Sequence, residues 1–103
     1  MTPEKVIQNA IVAYMNKLQS KGQPCQIHRR QAGGYSYKMG IPDLYAEFAG
    51  RHIEIEVKAP GKKLRPMQEK QRLKILEAEN LYICVDNIEM FKDFIEQNFN
   101  VRY

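Results

Sequence analysis

Residues 43–48 and 51–59 alternate polar and apolar side chains on either side of Ala49-Gly50. A β-hairpin makes use of that pattern, because successive strand residues point to opposite faces. A two-residue loop at Ala49-Gly50 makes Phe48 and Arg51 cross-strand neighbours. Counting outward, Glu47 opposes His52, Tyr45 opposes Glu54, and Asp43 opposes Glu56. Asp43, Tyr45, Glu47, His52, Glu54, Glu56 and Lys58 then share one face, and Leu44, Ala46, Phe48, Ile53, Ile55 and Val57 share the other. A slip of one residue would turn every charge toward the core, so the register is strongly specified.

The rest of the chain builds around this hairpin. Thr2 caps a helix with Pro3 at its first position, Val6, Ile7, Ala10, Ile11, Tyr14, Met15 and Leu18 form its apolar stripe, and Gly22 ends it. Cys25–Arg29 alternates as a half-buried strand, and Gln31 to Gly40 reads as a glycine-rich loop. Pro66 opens a second helix over roughly 66–79, ended by Asn80. Residues 81–85 are nearly all apolar, as in a strand covered on both faces. Asp86 and Glu89 have the spacing of a capping box for a last helix with Ile88, Phe91, Phe94, Ile95 and Phe99 as its stripe. The order αβββαβα predicts a single α/β domain over 1–103, with a mixed central sheet flanked by helices.

The polar face carries the chemistry. Opposed residues place their Cβ atoms about 4.5–5.5 Å apart, where like charges repel. Asp43 against Glu56 therefore reads as a pair that holds a cation, and oxygen donors suit Mg²⁺ or Mn²⁺. Lys58 follows on the same face, placed to orient an attacking water or to offset charge on a phosphate. Glu54 and His52 stand beside this pair as outer partners, while a solvated face of salt bridges is the plainer alternative for any one of these charges. His28 reads as a polar strand residue.

A net charge of +4 fits a polyanionic partner. Lys58, Lys62, Lys63, Arg65, Lys70, Arg72 and Lys74 crowd one segment, which charge alone assigns equally to a nucleic-acid contact and to a solvated helix face. Arg29 and Arg30 are further candidates for phosphate contact, and Tyr35 and Tyr37 with Lys38 for stacking on unpaired nucleic acid. No apolar run approaches the roughly 20 residues of a membrane span, and the first residues lack signal-peptide character. Cys25 and Cys84 lie in apolar strand-like runs and read as reduced core residues of a cytoplasmic protein.

Pro42-Asp43 followed by Glu56-Val57-Lys58 resembles the PD-(D/E)XK nuclease superfamily. Gly40-Ile41-Pro42-Asp43-Leu44, Glu56-Val57-Lys58, Gly61 and Leu64-Arg65-Pro66-Met67-Gln68 together resemble the VRR-NUC family, over nearly the whole chain. The resemblance implies a restriction-endonuclease-like core, Asp43 and Glu56 as metal ligands with the Val57 carbonyl, and Lys58 as the catalytic lysine. It also implies that Gln68 borders the site and that Glu4 is the acidic residue of the first helix near the metal. A helix cap and a first-turn charge are the plainer roles for those two. After Gln68 the chain has Gln71-Arg72 where the commonest pattern has an aromatic.

Short stand-alone domains of this kind resemble phage Holliday-junction resolvases, which implies a homodimer acting on four-way DNA in the host cytoplasm. The expectation is thus a Mg²⁺-dependent endonuclease for branched DNA, with Lys62, Lys63, Arg65, Arg29, Arg30 and Lys38 holding the backbone. A flap, nick or general DNA nuclease with the same site, and a DNA-binding module without catalysis, are the alternatives.

Overall fold

The computed structural model describes residues 1–31 and 33–101. Its elements run α1 (Pro3–Ser20), β1 (Cys25–Arg29), α2 (Gly34–Met39), β2 (Leu44–Phe48), β3 (Arg51–Val57), α3 (Pro66–Glu77), β4 (Leu81–Val85) and α4 (Ile88–Asn98). The strands form one mixed sheet in the order β1-β2-β3-β4, antiparallel between the first three and parallel between β3 and β4. The expected αβββαβα core is present, with α2 added inside the segment read as a loop. That helix has six residues and none of them is buried, so no apolar stripe could announce it.

The hairpin has the expected register: Phe48 pairs with Arg51, Glu47 with His52, and Tyr45 with Glu54. Its turn places both Ala49 (φ 51°) and Gly50 (φ 82°) in the left-handed region, the backbone that matches the twist of the flanking strands. A Cβ at Ala49 is strained there, so Ala49→Gly is expected to stabilise the protein by about 0.5–1 kcal/mol. A urea titration showing a higher midpoint at unchanged slope checks this.

The apolar hairpin face is the centre of the core. Leu44, Ala46, Phe48, Ile53, Ile55 and Val57 pack with Ile11, Met15 and Leu18 of α1 and with Phe91 and Ile95 of α4, all essentially inaccessible. Burying side chains of this size contributes about 1.5–3 kcal/mol each. The Thr2 hydroxyl accepts from the Lys5 N–H at 3.2 Å and caps α1, as its sequence suggests. Val6, placed in the apolar stripe, is exposed instead.

Two further expectations are corrected. β4 is an edge strand on which α3 and α4 pack, yet its side chains are only partly covered and Val85 alone is buried. The cap of α4 is Asn87, whose side-chain oxygen accepts from the Met90 N–H at 2.9 Å, so the Asp86–Glu89 capping box is out by one residue.

Candidate active site

Three local features bring the polar hairpin face into a cavity. Pro42 precedes β2, is fully buried and has no N–H to offer a neighbour. The ladder between β1 and β2 extends past the strands through the Arg30 N–H, which donates to the Asp43 carbonyl at 2.9 Å. On the far side, the Lys58 N–H donates to the Val85 carbonyl at 2.9 Å, continuing the pairing of β3 with β4. Asp43 and Lys58 are thus held at the ends of their strands, where both line the cavity.

That cavity encloses about 500 Å³. Asp43, Glu56, Val57, Lys58 and Gln68 line it together with Glu4 and the basic residues Arg29, Arg30, Lys62, Lys63 and Arg65. Of the single residues expected to act on metal or DNA, Tyr35, Lys38, Glu54 and His52 lie outside this space and the others border it. The basic cluster divides: Lys58, Lys62, Lys63 and Arg65 face the cavity, whereas Lys70, Arg72 and Lys74 belong to α3 outside it. Arg72 pairs instead with Glu69 at 3.7 Å.

Glu56 is buried, 2% exposed, and Asp43 lines the cavity beside it. Burial first, then Asp43, pushes its pKa up to about 9, and nearby Lys58 only partly opposes this. A folded state that holds this proton more tightly than the unfolded chain is favoured fully below pH about 4.5 and loses that advantage as the pH rises toward 9. The metal-free protein is accordingly expected to lose stability, on the order of a few kcal/mol, between those limits. Glu56→Gln, which cannot ionise, should flatten that slope and melt above the wild type at pH 8 without metal. Thermal melts from pH 5 to 9 in chelator test both.

The donor set fits a hard divalent cation. Two adjoining carboxyls and the Val57 carbonyl offer oxygen only, and a cation there would displace the Glu56 proton and remove the cost of crowding the pair. Among the described residues no three of His, Cys, Asp and Glu converge as a metal cluster. Glu4 lines the cavity without completing such a cluster.

Gln68 combines the two roles considered for it. Its Oε1 accepts from the Arg65 N–H at 2.8 Å and caps α3, while its Nε2 donates to Glu56 Oε1 at 3.3 Å. Glu54, 6% exposed, is engaged elsewhere: Arg30 grips it with both terminal nitrogens, at 2.5 and 2.8 Å, and His52 adds a further contact. His28 pairs with Glu47 at 2.7 Å, and its ring stacks on Tyr45, which in turn stacks on His52. Arg29 donates to Asn9 at 2.7 Å.

The sequence reading missed Tyr82, Cys84 and Gly40 here, and it offered Tyr37 for nucleic acid without placing it at this site. Parallel pairing sets Tyr82 opposite Glu54 and Cys84 opposite Glu56, so Cys84 joins the carboxylate face and is half-buried, whereas Cys25 is in the core. Burial, then Glu56, raises the Cys84 thiol. Tyr37 of α2 lines the cavity and carries the Arg65 guanidinium 3.9 Å above its ring. Gly40, quoted only as part of a motif, sits against the start of α3 so closely that a Cβ would lie 2.4 Å from Met67 backbone atoms. The places of Tyr82 and Cys84 emerge only from tertiary pairing; Gly40 was present as a glycine whose reason the sequence does not state.

No family model matches the sequence, and no curated protein matches it. Solved structures do. One described as "VRR_NUC domain" superposes with a TM-score of 0.77 at 20% identity, over 96% of this chain and 100% of that one. Another, "VRR_NUC domain protein", gives 0.76 at 20% identity over 98% and 91%. The chain has the fold of these VRR_NUC domains, over nearly its whole length.

Proposed function

We propose that this protein is a divalent-metal-dependent endodeoxyribonuclease for branched DNA, four-way junctions foremost. The observation that carries the reading is that Asp43, Glu56 and Lys58 line one cavity walled by cations. The VRR_NUC fold supports it.

Asp43, Glu56 and the Val57 carbonyl would hold Mg²⁺ or Mn²⁺, which when bound supplies Lewis acidity at the scissile phosphate. Gln68 steadies the Glu56 carboxyl, and its own position is set by the Arg65 N–H. Lys58 presents an ammonium to the same space, where it orients the attacking water and offsets charge on the phosphate as the new P–O bond forms and the old one breaks. Lys62, Lys63, Arg65 and Arg29 hold the flanking phosphates without reading bases.

The preference for branches draws on α2. Tyr35 is 73% exposed and Tyr37 63%. Aromatic rings beside cations stack on unpaired bases, which an unbroken duplex does not offer. A four-way junction presents two equivalent strands, which a two-fold homodimer would address with one site each.

Incubating the protein with labelled four-way junction, flap and linear duplex, in Mg²⁺, in Mn²⁺ and in chelator, tests the reading. Metal-dependent cutting of the junction above the duplex is expected. Equal cutting of all three would remove the branch preference, and binding without cutting in either metal would favour a non-catalytic DNA-binding module.

A further inference from the structure

Arg30 reads from the sequence as a contact for DNA phosphate, and its surroundings give it other work. Its Nη1 donates to the Pro42 carbonyl at 3.0 Å and to Glu54 Oε1 at 2.5 Å, and its Nη2 donates to Glu54 Oε2 at 2.8 Å. The guanidinium lies 4.5 Å from the centre of the Tyr45 ring, and the side chain is 26% exposed. Its main-chain N–H holds the Asp43 carbonyl at 2.9 Å. One residue therefore grips the two peptide groups that flank Asp43.

We propose that Arg30 is a positioning residue: locked by Glu54 and Tyr45, it fixes the Pro42-Asp43 backbone and thereby aims the Asp43 carboxylate at the cation shared with Glu56. This inference rests on the metal site proposed above. Asp43 precedes the first residue of β2, and the ladder reaches it through a single main-chain bond at its carbonyl, which leaves the Pro42 side of the residue to the Arg30 guanidinium. Pro42 has no N–H, which leaves its carbonyl as the one main-chain handle, and Arg30 takes it. A bidentate guanidinium–carboxylate pair suits this task because its planar fork fixes direction as well as distance. Outer partners of this kind typically govern metal affinity by about 10–100-fold.

Arg30→Met alone would strand Glu54 in a buried position and could unfold the protein. The informative variant is Arg30→Met with Glu54→Leu, which removes the buried ion pair as a unit and is expected to stay folded by circular dichroism. Mn²⁺ binding, followed by electron paramagnetic resonance of the free ion, should weaken about 10–100-fold in the double variant although its fold is retained. DNA binding in chelator should keep the wild-type salt dependence. Wild-type Mn²⁺ affinity in the folded double variant overturns the proposal while leaving the metal site standing. Unchanged Mn²⁺ affinity together with a salt slope lower by about one would assign Arg30 to a phosphate instead. Absence of Mn²⁺ binding by the wild-type protein overturns both the site and the clamp.

Discussion

Lys58→Ala is expected to slow cleavage of a four-way junction by about 10²–10³-fold, the usual loss when one donor to developing charge is removed. Stability should change by no more than about 0.5 kcal/mol, because Lys58 is half-buried and makes no ion pair within 4.0 Å among the described residues. Its main-chain bond to Val85 is indifferent to the side chain. Mn²⁺ binding should persist, since neither carboxylate is touched. Lys58→Arg should not restore the rate: a planar fork cannot replace a compact ammonium aimed at one water. Single-turnover cleavage with saturating protein isolates this step, and wild-type rates in Lys58→Ala would remove the lysine from the mechanism.

Gly40→Ala should have the largest effect of any single methyl group in the protein. Gly40 ends α2 in the left-handed conformation, at φ 72° and ψ 25°, which costs an L-residue about 1–2 kcal/mol. Its added Cβ would also stand 2.4 Å from Met67 C and O and 2.6 Å from Gln68 N, all backbone atoms that no rotamer change can move. Overpacking of that kind adds about 1–3 kcal/mol. The relief available is to push α2 away from the start of α3, which draws Gln68 off Glu56 and disturbs Pro42-Asp43 two residues on. Loss of about 2–5 kcal/mol in urea unfolding is expected. Cleavage measured well below the melting temperature should fall as well, because the site is built on the displaced segments. A variant with wild-type stability would show that the two helices do not meet as described.

The sequence displays the site more openly than it displays what surrounds it. Period-2 alternation around Ala49-Gly50 defines a register in which Tyr45 meets Glu54 and Glu47 meets His52, and the paired strands have that register. The same count carried past the paired residues leads to Asp43 and Glu56, and both line the cavity. The burial of the face is another matter. Arg30 and Glu54 are 24 residues apart, and nothing local announces that they pair. Tyr82 and Cys84 reach the carboxylate face because β4 runs parallel to β3 in one particular register, which an apolar run does not encode. α2 escapes because pattern reading needs a stripe, and a six-residue helix with no buried residue has none. At the start of α4, Asp86 and Asn87 are both good caps, and only the backbone geometry selects Asn87.

On the proposed reading, Asp43 and Glu56 hold one divalent cation between them. Isothermal titration of the wild-type protein and of Glu56→Gln with Mn²⁺, run at pH 7.5 in two buffers of different ionisation enthalpy, tests this. The wild type should bind one ion per chain and release a proton, because Glu56 is held protonated with a pKa of about 9 until a cation arrives. Glu56→Gln should bind at least about 100-fold more weakly, with no proton released. Equal binding by the two proteins, or binding by the wild type without proton release, would contradict the account.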